Sequence, residues 1–246
     1  MGNILKLMTF ILLTALPSVG FAENTKFFNF EAFSVYEHAS DRIKISNVST
    51  RYGIGAAGFQ VTASFIENKL ESFVRYGLGY HPNYTLSSFG TEFTGPVNGD
   101  LFEYGVKLNT SGFLTNGSSI SVIQSNRHVY SDQLTGTRGG VNFTTSTDAM
   151  MKSTEVRLSQ TIYAKGENSV SVFLGSNSWQ LNALGTAYSS NLTAKKNVNG
   201  ENTDPVWGVS IQSSVFNLPL ELGLTHRTIN ADNRIETFEI SGTLRF

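Results

Sequence analysis

The chain has 246 residues, with 18 Lys and Arg against 19 Asp and Glu, a formal net charge of −1, and no cysteine. The near-neutral balance argues against a nucleic-acid partner held on a basic face, and the missing thiols exclude disulfides and thiolate metal sites. With 23 Gly, 18 Phe, 9 Tyr and only 5 Pro, the composition suits a strand-rich chain of one domain.

At the start, Lys6 precedes an apolar run from Leu7 to Leu16, followed by Gly20-Phe21-Ala22. A basic residue, a short apolar run and small residues at the cleavage positions make a secretory signal peptide. It is expected to span residues 1–22 and to be cut between Ala22 and Glu23, leaving 23–246 as one domain. Later in the chain no stretch approaches the roughly 20 consecutive apolar residues of a transmembrane helix.

Segments that alternate between apolar and polar residues recur between turn-rich stretches, and they predict ten strands. These are Lys26 to Tyr36, Arg51 to Phe65, Leu70 to Tyr80, Leu101 to Thr110, Ser118 to Tyr130, Ser153 to Ala164, Ser169 to Leu181, Val206 to Phe216, Leu218 to Ile229 and Arg234 to Phe246. The connections after even-numbered strands are short, apart from Ser111 to Gly117. Those after odd-numbered strands are mostly long and polar, and they are expected to be loops: Glu37 to Thr50, His81 to Asp100, Ser131 to Lys152 and Asn182 to Pro205. The last one, around Asn230 to Asn233, is short and predicts a lower rim on that side. A transmembrane β-barrel sorts its connections in this way; a soluble β-sandwich has no reason to. Eight strands would leave one hairpin unexplained, and twelve would need a pair hidden in a loop.

The final segment alternates strictly. Phe238, Ile240, Gly242, Leu244 and Phe246 share one parity, and Thr237, Glu239, Ser241, Thr243 and Arg245 share the other. Successive side chains of a strand point to opposite faces, so one face is apolar and the other polar. With its terminal Phe, the segment resembles the last strand of bacterial outer-membrane β-barrel proteins. Glu239, Leu244 and Phe246 match the assembly signal of that family, whereas the position of its glycine holds Ser241, with Gly242 one residue later. The resemblance implies an all-β fold, an antiparallel up-and-down transmembrane β-barrel of about 10 strands, with 8 or 12 as alternatives. It also implies a Gram-negative outer membrane, surroundings of lipid and lipopolysaccharide, periplasmic termini, and recognition of Phe238, Ile240, Gly242, Leu244 and Phe246 by the barrel-assembly machinery.

Strand parity sorts the charges. Apolar rows such as Leu220, Leu222 and Leu224, or Val74, Tyr76 and Leu78, are expected to face lipid. The opposite faces hold Glu31, Glu71, Arg75, Glu103, Lys107, Arg127, Glu155, Arg157, Glu221, Arg227, Glu239 and Arg245. A charge facing lipid at mid-depth costs about 2–4 kcal/mol, so a membrane barrel requires this segregation. Directly opposed residues of an antiparallel pair have a constant sum of numbers. One register therefore opposes Glu71 to Lys107 and Arg75 to Glu103; another opposes Glu221 to Arg245 and Arg227 to Glu239, and opposite charges across a ladder attract. Glu155 and Arg127 are expected to pair across the third long connection. The ladder predicts a closed or narrow lumen, since interiors of small barrels are filled by side chains.

A hydrolase needs a base held toward a nucleophile or water. His128, Ser131 and Asp132 come nearest to such a set, but alternation sends His128 and Ser131 to opposite faces. Neither the aspartate pair with a His-Asp dyad of the omptin family nor the His-x-Ser motif of the lipid A deacylases is found. No cofactor or metal is expected. The function read from the sequence is a structural or narrow-channel, porin-like barrel; an adhesin or receptor using its external loops is the alternative, and an outer-membrane hydrolase comes third.

Overall fold

The computed structural model describes residues 28–66, 69–111, 114–189 and 192–245. The signal-peptide cleavage site at Ala22 and Glu23, and the terminal Phe246, lie outside the described residues. Ten antiparallel strands follow one another around a closed barrel: β1 (Phe28–Ile45), β2 (Val48–Phe65), β3 (Leu70–Ser88), β4 (Thr91–Asn109), β5 (Ser118–Arg138), β6 (Val141–Lys165), β7 (Asn168–Tyr188), β8 (Thr193–Val215), β9 (Leu218–Asn230) and β10 (Arg234–Arg245). β10 pairs with β1, with Arg245 opposite Glu31, and so leaves no edge strand.

The long connections after β1, β3, β5 and β7 are not loops. Their residues continue the ladders to tight turns, as in Ile45↔Val48, Ser88↔Thr91 and Arg138↔Val141. Ser46 and Asn47, Phe89 and Gly90, and Gly139 and Gly140 all have positive φ, which is the two-residue turn whose twist matches that of the flanking strands. These segments bury apolar residues such as Ile43, Tyr84, Leu86, Phe93 and Leu134 on their inner face, but buried Ser and Thr interrupt the row and bulges between His81 and Tyr84 and between Ser131 and Leu134 change its parity, so the apolar alternation is broken. About 9–11 tilted residues cross a bilayer. The 25 residues of β6 thus exceed one crossing by about 14, roughly 45 Å along the strand. β9 and β10, with 13 and 12 residues, exceed it little. The wall stands high over β5 to β8 and drops at β9 and β10, as the short last connection predicts.

Outside, the belt is apolar and aromatic. Tyr76, Leu78, Leu158, Ile162, Trp207, Ile211, Leu222, Leu224, Phe238 and Ile240 are all exposed. Inside, three layers stack from the end where β1 begins and β10 finishes toward the opposite end, that of the tall hairpins. A polar vestibule comes first, then a band of buried charge, then an apolar core made of two clusters. One cluster holds Ala39, Ile43, Ile45, Tyr52, Trp179, Val198, Ile229 and Ile235; the other holds Tyr84, Leu86, Phe93, Val97, Val129, Leu134 and Ala187; Val48 packs against both.

Candidate functional site

The layers of the lumen follow from alternation, and their contacts follow from register. In β3 and β4, Glu71 lies opposite Lys107 and Arg75 opposite Glu103, the pairing that their shared spacing requires. The Arg75 guanidinium bonds Glu103 and lies 5.0 Å from the Phe33 ring centroid. Lys107 stands 3.8 Å from Glu71 where both are partly exposed, a geometry of about 0–1 kcal/mol.

The last hairpin departs from expectation by two residues. Glu221 lies opposite Thr243, Arg227 opposite Thr237, and Glu239 opposite Thr225. A shift by two keeps every side chain on its face, so lipid and lumen do not penalise it. Closure of the barrel decides the matter, because Arg245 is drawn to Glu31 on β1 at 2.6 Å. Glu221 is left in the vestibule with Gln212 at 3.4 Å. Arg227 still reaches Glu239, on the diagonal, at 3.0 Å.

The third expected pair is also redirected. Arg127 is opposite Met151, and Glu155 is opposite Ile123. Glu155 bonds Arg157 on its own strand and Arg227 across the lumen, while Arg127 bonds Glu37 and, at 3.0 Å, Glu239. Arg157 also lies 4.5 Å from the Phe173 ring centroid.

Glu37 was hidden in a segment that reads as loop. It is 1% exposed and directly opposite Glu239 on β10. Two acids opposed in a ladder repel; here Arg127 and Arg227 hold them, with Arg227 Nη1 3.5 Å from Glu37 and 3.0 Å from Glu239. The Thr237 hydroxyl donates to Glu37 at 3.0 Å, and the Tyr52 hydroxyl accepts from Arg127 Nη1 at 3.0 Å. Four arginines (Arg75, Arg127, Arg157, Arg227) and four glutamates (Glu37, Glu103, Glu155, Glu239) thereby form one connected, charge-balanced network across the lumen.

Below the network lies a polar cavity of about 350 Å³, lined among others by Glu31, Glu71, Lys107, Glu221 and Arg245. Above it lies an apolar chamber of about 80 Å³. Its wall includes Trp179, whose Nε1 donates at 2.8 Å to the buried Asp204, itself also bonded by the backbone N–H of Asn230 at 3.0 Å. Tyr84 closes one side, with its hydroxyl 2.6 Å from Thr50 Oγ1; burial pushes this phenol above its ordinary value.

His128 lies on the outer wall between Asp100 at 3.4 Å and Asp148 at 2.9 Å. Ser131 is buried and donates to the Pro96 carbonyl at 2.7 Å. His128, Ser131 and Asp132 therefore do not assemble into a catalytic set. His226, also on the outer wall, stacks on Trp207 at 4.7 Å and bonds Glu236 at 2.7 Å. Among the described residues no cluster of His, Cys, Asp and Glu is arranged to hold a metal ion.

No family model matches the chain, and no curated protein does. Solved structures do. The outer-membrane protease OmpT from Escherichia coli superposes with a TM-score of 0.59 at 7% identity, covering 93% of this chain and 98% of that one. The translocator domain of the autotransporter NalP from Neisseria meningitidis gives 0.52 at 10% identity, covering 97% and 95%. The fold is that of the bacterial outer-membrane β-barrels. At such identities the likeness concerns the fold alone, and neither neighbour's chemistry carries over with it.

Proposed function

We propose that this protein is a non-conducting outer-membrane barrel that stands as a rigid support for the tall hairpins of β5 to β8, with a surface-binding rather than a porin-like role. The observation that carries this reading is the double closure of the lumen. An Arg–Glu network reaches across the lumen, and an apolar core lies on its hairpin side. Moving an ion through the second layer would take its charge out of water into an apolar surround, which costs several kcal/mol even after relaxation. The wall beyond the membrane is continuous sheet and not loop, so it presents a fixed surface to a partner at little ordering cost.

In this reading the termini face the periplasm, the hairpins face outward among lipopolysaccharide, and residues 1–22 direct export. The last strand, with Phe238, Ile240, Gly242, Leu244 and Phe246, is what the barrel-assembly machinery engages. No reaction is assigned: among the described residues His128 is held by Asp100 and Asp148 on the outer wall, while Ser131 is turned to the Pro96 carbonyl. Conductance of the refolded protein in a planar bilayer tests the proposal. Silence at all voltages is the expected result, and steady single-channel openings would refute it.

A further inference from the structure

On the outer wall, β1 and β3 bring polar side chains over a glycine of the strand between them. His38 on β1 lies directly opposite Gly53 on β2, and His81 reaches the same glycine from β3. A Cβ on Gly53 would stand 3.4 Å from His81 Nε2, 3.5 Å from His38 Nδ1 and 3.5 Å from the Tyr36 hydroxyl. Because position 53 carries no side chain, the groups on either side of β2 converge there. None of the three atoms has a hydrogen-bond partner among the described residues.

The chemistry of this cradle is that of a donor set. The backbone N–H of Asn83 donates to His81 Nδ1 at 3.3 Å. A neutral imidazole that accepts at one nitrogen carries its proton on the other, so His81 Nε2 presents an N–H to the cradle and has no lone pair for a metal. The Tyr36 hydroxyl donates as well, and His38 Nδ1 donates in one tautomer and when protonated. The charged groups acting on His81 are Arg51 and His38, both basic. Arg51, two residues from Gly53 and on the same face, lies directly opposite Arg42. Arg42 is held by Glu92, and Asp41 accepts its backbone N–H; the exposed Arg51 has no ion pair among the described residues. Like charges opposed in a ladder repel, and an anion beside them offsets that repulsion.

We propose that Tyr36, His38, His81 and Arg51 bind a phosphate monoester carried on the headgroup of a membrane lipid. Such a group brings up to two negative charges and three acceptor oxygens, which match three converging donors and an unpaired guanidinium. Phe59, Tyr76, Leu78 and Tyr80 are exposed on neighbouring stretches of β2 and β3. Aromatic girdles mark the level of the membrane interface, so the cradle stands where lipid headgroups lie, which favours a lipid over a free ion. The inference does not depend on whether the barrel conducts.

The mature protein, refolded in phosphate-free maltoside micelles, is titrated with phosphatidic acid, with phosphatidylcholine and with inorganic phosphate, and binding is followed by phosphorus NMR. Saturable binding of phosphatidic acid, about tenfold tighter than that of either other probe, is the expected result. Equal binding of the two lipids overturns the monoester, and inorganic phosphate as tight as phosphatidic acid overturns the lipid source. No binding of any probe refutes the site. His81→Phe keeps a ring and removes the donor, and should weaken phosphatidic acid about tenfold or more. Gly53→Val fills the cradle with a residue that suits a strand and should abolish binding. An unchanged affinity in either variant counts against the cradle. Should either fail to fold, the comparison of the three probes on the unaltered protein still decides.

Discussion

Replacing Glu37 by Gln tests whether the charge network is a single balanced unit. Glu37 receives Arg127 Nη1, the Thr237 hydroxyl and, at 3.5 Å, Arg227, and both of the arginines are buried. Gln keeps the shape and one acceptor oxygen but leaves one positive charge in excess. Breaking a buried pair by removing one partner costs about 3–5 kcal/mol, and the retained oxygen places Glu37→Gln near the lower end. One term opposes this, since Glu239 lies directly opposite Glu37 and loses a like-charged neighbour; across a ladder that is worth about 0.2–1 kcal/mol. The net loss expected is therefore about 2–4 kcal/mol. Urea unfolding of the barrel refolded in detergent micelles, followed by tryptophan fluorescence and by the gel-mobility shift of the folded form, measures it. The double variant Glu37→Gln with Arg127→Gln restores the balance, so its loss should fall short of the summed single losses by about 1–3 kcal/mol. Glu71→Gln, at the exposed Lys107 pair, serves as the control at about 0–1 kcal/mol. If Glu37→Gln costs no more than Glu71→Gln, or if the two lumenal substitutions simply add, the network reasoning is refuted.

The register of the last hairpin is open to a crosslinking test. A cysteine pair at Leu222 and Gly242, directly opposed, should join readily under mild oxidation, whereas Leu222 with Leu244 should not; the reverse result would restore the register read from charge spacing. Gly175→Val should destabilise the barrel by about 1–3 kcal/mol in the same urea assay, because a Cβ there would lie within 3.0 Å of the Val156 and Arg157 backbone; an unchanged midpoint contradicts the close strand approach. Deleting Phe246 should lower the amount of folded barrel in cells more than it lowers stability in micelles, since one side chain contributes only about 1.5–3 kcal/mol by burial. Normal levels of the deletion variant would rule out a recognition role.

Parity along the sequence determined which face each residue takes, because the pleat sends alternate side chains to opposite sides and lipid penalises a charge on the wrong one. From that rule come the apolar belt, the strand count and the lumenal placement of Glu71, Arg75, Glu103 and Lys107, whose partners lie in the adjacent strand, while the low rim over β9 and β10 follows from the short connection around Asn230 to Asn233. Two things were not legible in this way. The first is Glu37, because the bulge between His38 and Arg42 interrupts the ladder just beyond it and Asp41, Arg42 and Lys44 crowd the segment with charge, so that Glu37 to Thr50 reads as loop although Ala39, Ile43 and Ile45 are buried inside the barrel. The second is every contact across the lumen: Arg127 meets Glu37 from 90 residues away and Glu239 from 112. Such pairs depend on how the sheet curls and on the stagger with which β10 closes on β1. A register shift of two leaves each side chain on its own face, so the local pattern does not distinguish one closure from another. Only the closed barrel, by bringing Arg245 to Glu31, decided which acids meet which bases.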